Sequence, residues 1–179
     1  MLLSIQEKNT VSLAPCLPQP PSLGVESYRE AYERNCHRVY ALAFWMTDNE
    51  LLAEELMANS FRRVLASNTQ PSDEEVDRAL IDELRTVVPL GMLSLDCAPS
   101  AQAHSVRYST LRADLERAVV QLPGTEKLIF LMHDVERYDH ARIARCLGLT
   151  EDEARLGLHQ ARLRLRELLA RSASFVRNN

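Results

Sequence analysis

The chain is predicted to be all-α, and three observations lead there. Apolar residues recur at spacings of three and four along most of its length. Leu, Ala, Glu and Arg are abundant while glycine is limited to 5 residues, and capping residues stand at the breaks between periodic stretches. The clearest stretch is 141–162, which reads as helix, tight turn, helix. Ile143, Ala144 and Leu147 give the first helix an apolar face, and Gly148 follows where a helix ends on a residue that adopts positive φ. Thr150 can then cap the next helix, with Glu153 three positions on as a capping box requires. Ala154, Leu158, Ala161, Leu165, Leu168 and Leu169 continue at a helical period. Two helices joined by a glycine-containing turn of this length form the helix-turn-helix arrangement, whose second helix can enter the DNA major groove.

Two small helical domains joined by a flexible linker are expected. Residues 1–24 hold Pro15, Pro18, Pro20 and Pro21 with no surviving period, and read as a disordered tail. The first domain spans 25–88 and contains three helices. Tyr32, Cys36, Val39, Tyr40 and Ala43 mark the first, which breaks at Thr47, Asp48 and Asn49. Ala53, Leu56, Met57, Ser60, Phe61 and Val64 share a face of the second. Ser72 caps the third, whose first turn carries Asp73, Glu74 and Glu75 where the helix dipole favours anions. That helix runs through Val76, Ala79, Leu80, Leu84 and Val87 towards Pro89. Residues 89–109, with Pro89, Gly91 and Pro99, form the linker. The second domain, 110–173, opens with a helix through Leu111, Leu115, Ala118, Val119 and Leu122 that stops at Pro123-Gly124. Thr125 is expected to cap a helix with Leu128, Ile129, Leu131, Met132 and Val135 on its apolar face, and the helix-turn-helix completes a four-helix unit. Residues 174–179 are read as a tail.

Composition narrows the function classes. No apolar run approaches the roughly 18 residues that cross a membrane, and the start lacks a basic segment before its short apolar piece, so a cytoplasmic protein without membrane insertion is expected. Four cysteines, Cys16, Cys36, Cys97 and Cys146, form no Cys-x-x-Cys pair, and Cys36-His37 alone is too few ligands for a metal. No metal site and no cofactor are assigned. The five histidines, His37, His104, His133, His140 and His159, accompany no nucleophile motif and no glycine-rich phosphate loop, so no catalytic residue is assigned and an enzyme is not expected. Net charge is −4, unevenly spread: 1–110 carry 9 basic and 15 acidic residues, and 111–179 carry 12 and 10. Neither half is the strongly basic footprint that phosphate contact favours.

The motifs are specific enough to indicate a family. Leu122-Pro123, an apolar helix, Asp134-Val135-Glu136, Ile143-Ala144, Leu147-Gly148-Leu149 and His159-Gln160-Ala161-Arg162 together resemble region 4 of the sigma-70 superfamily. The segment from Tyr40 to Phe61, with Ala53-Glu54-Glu55-Leu56-Met57-Ala58, resembles region 2, and the two-domain plan is closest to the extracytoplasmic-function group. This resemblance implies a transcription initiation factor that binds core RNA polymerase and positions it on promoter DNA, with an anti-sigma factor as a further partner. By the same resemblance, Arg142, Arg145, Arg155, His159 and Arg162 are the candidate DNA contacts. Glu54, Glu55, Leu56 and Phe61 are the candidate polymerase contacts.

The departures from the family support an alternative. Where its recognition helix has Thr-Val-Lys-Ser-Arg, this chain has Glu153, Ala154, Arg155, Leu156 and Gly157, so only Arg155 keeps a cation. The exposed face of that helix is expected to hold Asp152, Arg155, Leu156, His159, Gln160 and Leu163. Glu151, Asp152 and Glu153 oppose a phosphate at the helix N-terminus. An acidic stretch, 73–85, stands where an Arg-rich one is usual, and Ala58 replaces the polymerase-binding helix's Gln. The alternative is therefore a diverged sigma-like regulator acting through protein contacts with little or no promoter binding.

Overall fold

The computed structural model describes residues 22–67, 70–94 and 112–176, and every regular element among them is helical. Expectations that fall on residues 1–21, on 95–111 (Cys97, His104 and Leu111 among them) and on 177–179 lie outside the described residues.

Three helices build the first domain. α1 (Ser22–Thr47) begins slightly before the expected start near residue 25. It sends Val39, Leu42, Ala43 and Met46 into the core. Asp48, at φ 52°, turns the chain, and Asn49 accepts a hydrogen bond from the Leu52 N–H (3.1 Å) at the start of α2 (Glu50–Ser67). Ala53, Leu56, Phe61 and Val64 are buried on α2, and Tyr32 leans on the Phe61 ring with centroids 4.8 Å apart. α3 (Asp73–Leu84) starts with the capping box that its sequence predicts: the Ser72 hydroxyl accepts from the Glu75 N–H, and the Glu75 carboxylate accepts from the Ser72 N–H. The helix ends at Leu84, so Val87 lies beyond it and is exposed. Val76, Leu80, Ile81 and Leu84 pack inward, and so does one acid, Asp77.

The second domain contains α4 (Arg112–Val120), α5 (Gly124–Phe130), a π-helical turn (Leu131–Val135), α6 (His140–Leu147) and α7 (Glu151–Val176). Thr125 does not cap α5, contrary to expectation. The helix begins two residues earlier, at Gly124 behind Pro123, and the buried Thr125 hydroxyl instead accepts from the Gly91 N–H (3.1 Å). Val135 likewise faces solvent, because the π turn rotates it away from the face shared by Leu131 and Met132. Beyond that turn Arg137, at φ 64°, redirects the chain and brings Tyr138 into a buried position.

Residues 89–94, expected to belong to the linker, are packed against the second domain. Leu90 and Leu93 lie against the core, and the Ser94 N–H donates to Glu126 Oε1 (2.7 Å). The chain passes so close to α5 that a Cβ on Gly124 would stand 2.8 Å from Val88 Cγ1 and 2.9 Å from the Pro89 carbonyl oxygen. Glycine is needed there for want of room.

The two domains also touch each other directly. α3 packs on α6, and α1 approaches α5. Asp77 stands at the centre of the contact. Its carboxylate accepts from the guanidinium of Arg38 on α1, from the Tyr138 hydroxyl (3.1 Å) and from Arg142 Nη2 on α6 (2.6 Å). The Arg142 guanidinium stacks over the Tyr138 ring, 3.8 Å from its centroid. Burial pushes the Asp77 carboxyl above the usual aspartate range, against the opposing pull of the two arginines.

Candidate nucleic-acid interface

The helix-turn-helix is built as its sequence predicts. Asp139 caps α6 by accepting from the Arg142 N–H (2.7 Å). Ile143, Ala144 and Leu147 are buried, and Gly148 takes the left-handed conformation at φ 73° that ends the helix. At the start of α7 the Thr150 N–H donates to the Glu153 carboxylate (2.7 Å) and the Glu153 N–H donates to the Thr150 hydroxyl (3.2 Å). The bonds donated to it by the Thr150 N–H and the Thr150 hydroxyl (2.8 Å) hold the Glu153 carboxyl below the usual glutamate range. Ala154, Leu158, Ala161 and Leu165 then anchor α7 in the core, which fixes the face it can present.

That face is narrower than expected. Asp152, Arg155, Leu156 and His159 are exposed, but Gln160 is buried and Leu163 is half-buried. Gln160 follows His159 around the helix by one residue, enough to bring it under the core edge. Gly157, which stands where the family's pattern has Arg, also points inward, as does Ala154, which stands where it has Val. A Cβ on Gly157 would lie 2.6 Å from Ile129 Cδ1 and 2.8 Å from Leu93 Cδ2. In this chain those two positions serve packing.

The five candidate DNA contacts fall into two groups that the structure keeps apart. Arg155, His159 and Arg162, at spacings of four and three, form one stripe on α7. Arg155 pairs with Glu151 and Asp152 of its own helix. Arg162 reaches Asp134 in the π turn, with its Nη2 donating at 2.6 Å. Burial would raise the Asp134 carboxyl, but the bonds from Arg162 and His133 bring it below the usual aspartate range. His133 and His140 stand beside this stripe with ring centroids 4.7 Å apart, and burial and its histidine neighbour lower the His140 pKa.

Arg142 and Arg145 occupy the other group, on the side of α6 that meets α3. Arg142 is held by Asp77, and Arg145 donates to both carboxylate oxygens of Glu74 (3.1 and 3.2 Å). Those bonds hold Glu74 below the usual glutamate range. From α3, Arg85 Nη2 donates to the Leu147 carbonyl oxygen (2.7 Å) at the end of α6. Cys146, buried beside this contact, has its thiol pushed up to about 11 by burial and by the nearby Asp77 and Glu74.

The acidic stretch of α3 therefore has partners within the chain. Asp73 meets Arg34 and Asn35, Asp82 and Glu83 meet Arg63, and Glu74 and Asp77 meet the α6 arginines. Asp77 was the one signal for this contact in the sequence: an acid on the apolar face of α3, flanked by Val76, Leu80 and Ile81.

The candidate polymerase contacts also divide. Glu54 and Glu55 are exposed on α2, beside the strongly exposed Leu51 at 79%. Leu56 and Phe61, by contrast, are each only 3% exposed. Their side chains are spent in the first domain's core, which corrects their assignment as contacts.

Comparison with known proteins agrees with this geometry. Residues 112–165 match the family model for sigma-70, region 4. The chain is 28% identical to the ECF RNA polymerase sigma factor SigE of Mycolicibacterium smegmatis, in an alignment covering 83% of this chain and 63% of that protein. The chain thus spans less than two thirds of that relative's length. Its fold resembles the sigma factor RpoE of Bartonella quintana, solved in complex with the anti-sigma factor NepR. The TM-score is 0.61 at 15% identity, covering 81% of this chain and 98% of that one. Residues 112–165 thus resemble sigma-70 region 4, and the chain as a whole is similar in sequence to a sigma factor of the extracytoplasmic-function group and in fold to a two-domain sigma factor.

Proposed function

We propose that this chain binds core RNA polymerase and directs DNA-templated transcription initiation at specific promoters. The observation that carries this reading is the capped helix-turn-helix, whose α7 presents Arg155 and His159 to solvent from a rigidly packed helix. An α-helix so anchored fits the major groove, and arginine can pair with a guanine edge or a phosphate. Arg155 and Arg162 already hold carboxylates, so DNA contact requires exchange of an exposed ion pair for a phosphate or base. Exposed pairs are each worth only about 0–1 kcal/mol, a small barrier to that exchange. The other partner surface is the exposed side of α2, where Glu54 and Glu55 stand with Leu51 for polymerase.

The reading implies a non-enzymatic, cytoplasmic regulator, and an anti-sigma factor is proposed as a further partner. No helix among the described residues is long and apolar enough to cross a membrane. One of the arguments for the diverged-regulator alternative, the acidity of α3, is weakened because those acids are engaged by the chain's own arginines.

The test is retention of genomic promoter fragments by the complex of this chain with core polymerase, across a salt series. We expect sequence-selective, salt-sensitive retention that Arg155→Ala weakens on the order of tenfold, the cost of one good base contact. A polymerase complex that retains DNA without sequence selection would contradict the reading.

A further inference from the structure

Beside the exposed stripe of α7 stand two histidines that the proposed function leaves unused. The π turn carries His133 and the first turn of α6 carries His140, with ring centroids 4.7 Å apart and ring planes tilted by 56°. Arg137, at φ 64°, turns the chain between them. Both residues are half-buried, so each keeps some contact with water. His133 Nδ1 donates to Asp134 Oδ1 (2.8 Å), and in that tautomer Nε2 is the atom that takes up a proton.

The charges around the pair are close to balance. From α7, Glu151, Arg155 and Arg162 act on His140, with Asp152 and His159 on the same exposed side. The π turn adds Asp134, and Asp139 at the start of α6 is committed to its cap. Arg155 pairs with Glu151 and Asp152, and Arg162 pairs with Asp134. With neutral imidazoles, two cations therefore face three carboxylates, and an approaching phosphate meets the wrong sign. One proton on the pair cancels that excess and a second reverses it. Burial, and then the charge of His133, lowers the His140 pKa, and rings this close take up their protons in separate steps.

We propose that the His133–His140 pair is a proton-operated switch on the nucleic-acid face: charging it in mildly acidic solution turns the Arg155–Arg162 stripe from net acidic to net basic and strengthens its hold on DNA phosphates. The proposal rests on the reading of α7 as the DNA-facing helix. A charged His133 also competes with Arg162 for the Asp134 carboxylate, which leaves Arg162 freer to reach a phosphate. The gain is electrostatic, so it brings a steeper salt dependence and no new sequence preference.

The test measures binding of the full chain to a rhodamine-labelled duplex of mixed sequence by fluorescence anisotropy, across pH and salt. We expect affinity to rise on the order of tenfold from about pH 8 to about pH 5.5, with the salt slope steeper by about one to two. Combining His133→Gln with His140→Gln should remove most of that rise and the change in slope. His140→Gln alone should remove part of it, and stays informative if the double variant fails to fold by circular dichroism. His37→Gln, exposed on α1 away from the stripe, should keep the whole rise. His159 is present in every chain compared and contributes equally to all. A proton NMR titration of the histidine rings follows the pair directly, and replacing one ring should shift the titration of the other.

An equal rise in the double variant and the wild type would overturn the switch. So would a pair that charges over this interval while affinity stays flat, or a chain that binds no duplex at either pH. Failure to bind core polymerase would count against the proposed function alone, since neither readout involves polymerase.

Discussion

Gly124 stands where two stretches of backbone come together, and its missing side chain is the reason they can. Residues 88–90 cross the first turn of α5 there, and the obstacle to a Cβ is partly the Pro89 carbonyl, which cannot rotate aside as a side-chain tip can. Gly124→Ala should therefore cost about 1–3 kcal/mol, the usual range for forcing extra atoms into a packed site. Thermal unfolding followed by circular dichroism measures this, and an unchanged midpoint would mean that the crossing is looser than it looks. Asp77 makes the complementary point about polar groups. A buried carboxylate survives only with partners, and here Arg38, Tyr138 and Arg142 supply them from three different parts of the chain.

The start of α7 is an element whose stability follows pH in a definite direction. Hydrogen bonds from the Thr150 N–H and hydroxyl favour the ionised Glu153 carboxyl, and its pKa is lowered. The contribution of this cap is complete above the ordinary glutamate value and is lost as pH falls through the lower native one. An NMR titration should place the Glu153 midpoint below that of an exposed glutamate, with Thr150 amide exchange accelerating over the same interval. An ordinary midpoint would show that the cap is not populated in solution. The helices themselves were largely legible from the sequence, because period and capping residues act over a few positions. Ser72 with Glu75 and Thr150 with Glu153 form the boxes that their spacing predicts, and Gly148 takes the left-handed turn. The misplaced details have local causes. Pro123 starts α5 and leaves Thr125 inside it, and the π turn rotates Val135 outward.

The arrangement of the whole molecule was much less legible. Pairing of Asp77 with Arg142, or of Glu74 with Arg145, joins residues more than sixty positions apart, and no periodicity encodes it. Read along the chain, α3 looked like an acidic surface hostile to DNA. Folded, most of its acids neutralise arginines from α1, α2 and α6. The candidate site was legible in part: Arg155 and His159 stand exposed as a recognition helix requires, whereas Arg142 and Arg145 are held against the first domain. Leu56 and Phe61 show a second limit, since an apolar residue in a motif serves the core or a partner equally well until its burial is known.

The proposed function is that this chain makes core polymerase promoter-selective. Run-off transcription from a library of genomic fragments, with purified core polymerase and this chain as the added protein, tests it most directly. We predict transcripts that depend on the chain and begin at a small set of positions sharing upstream sequence. A chain that binds core polymerase yet yields no such transcripts would contradict the claim.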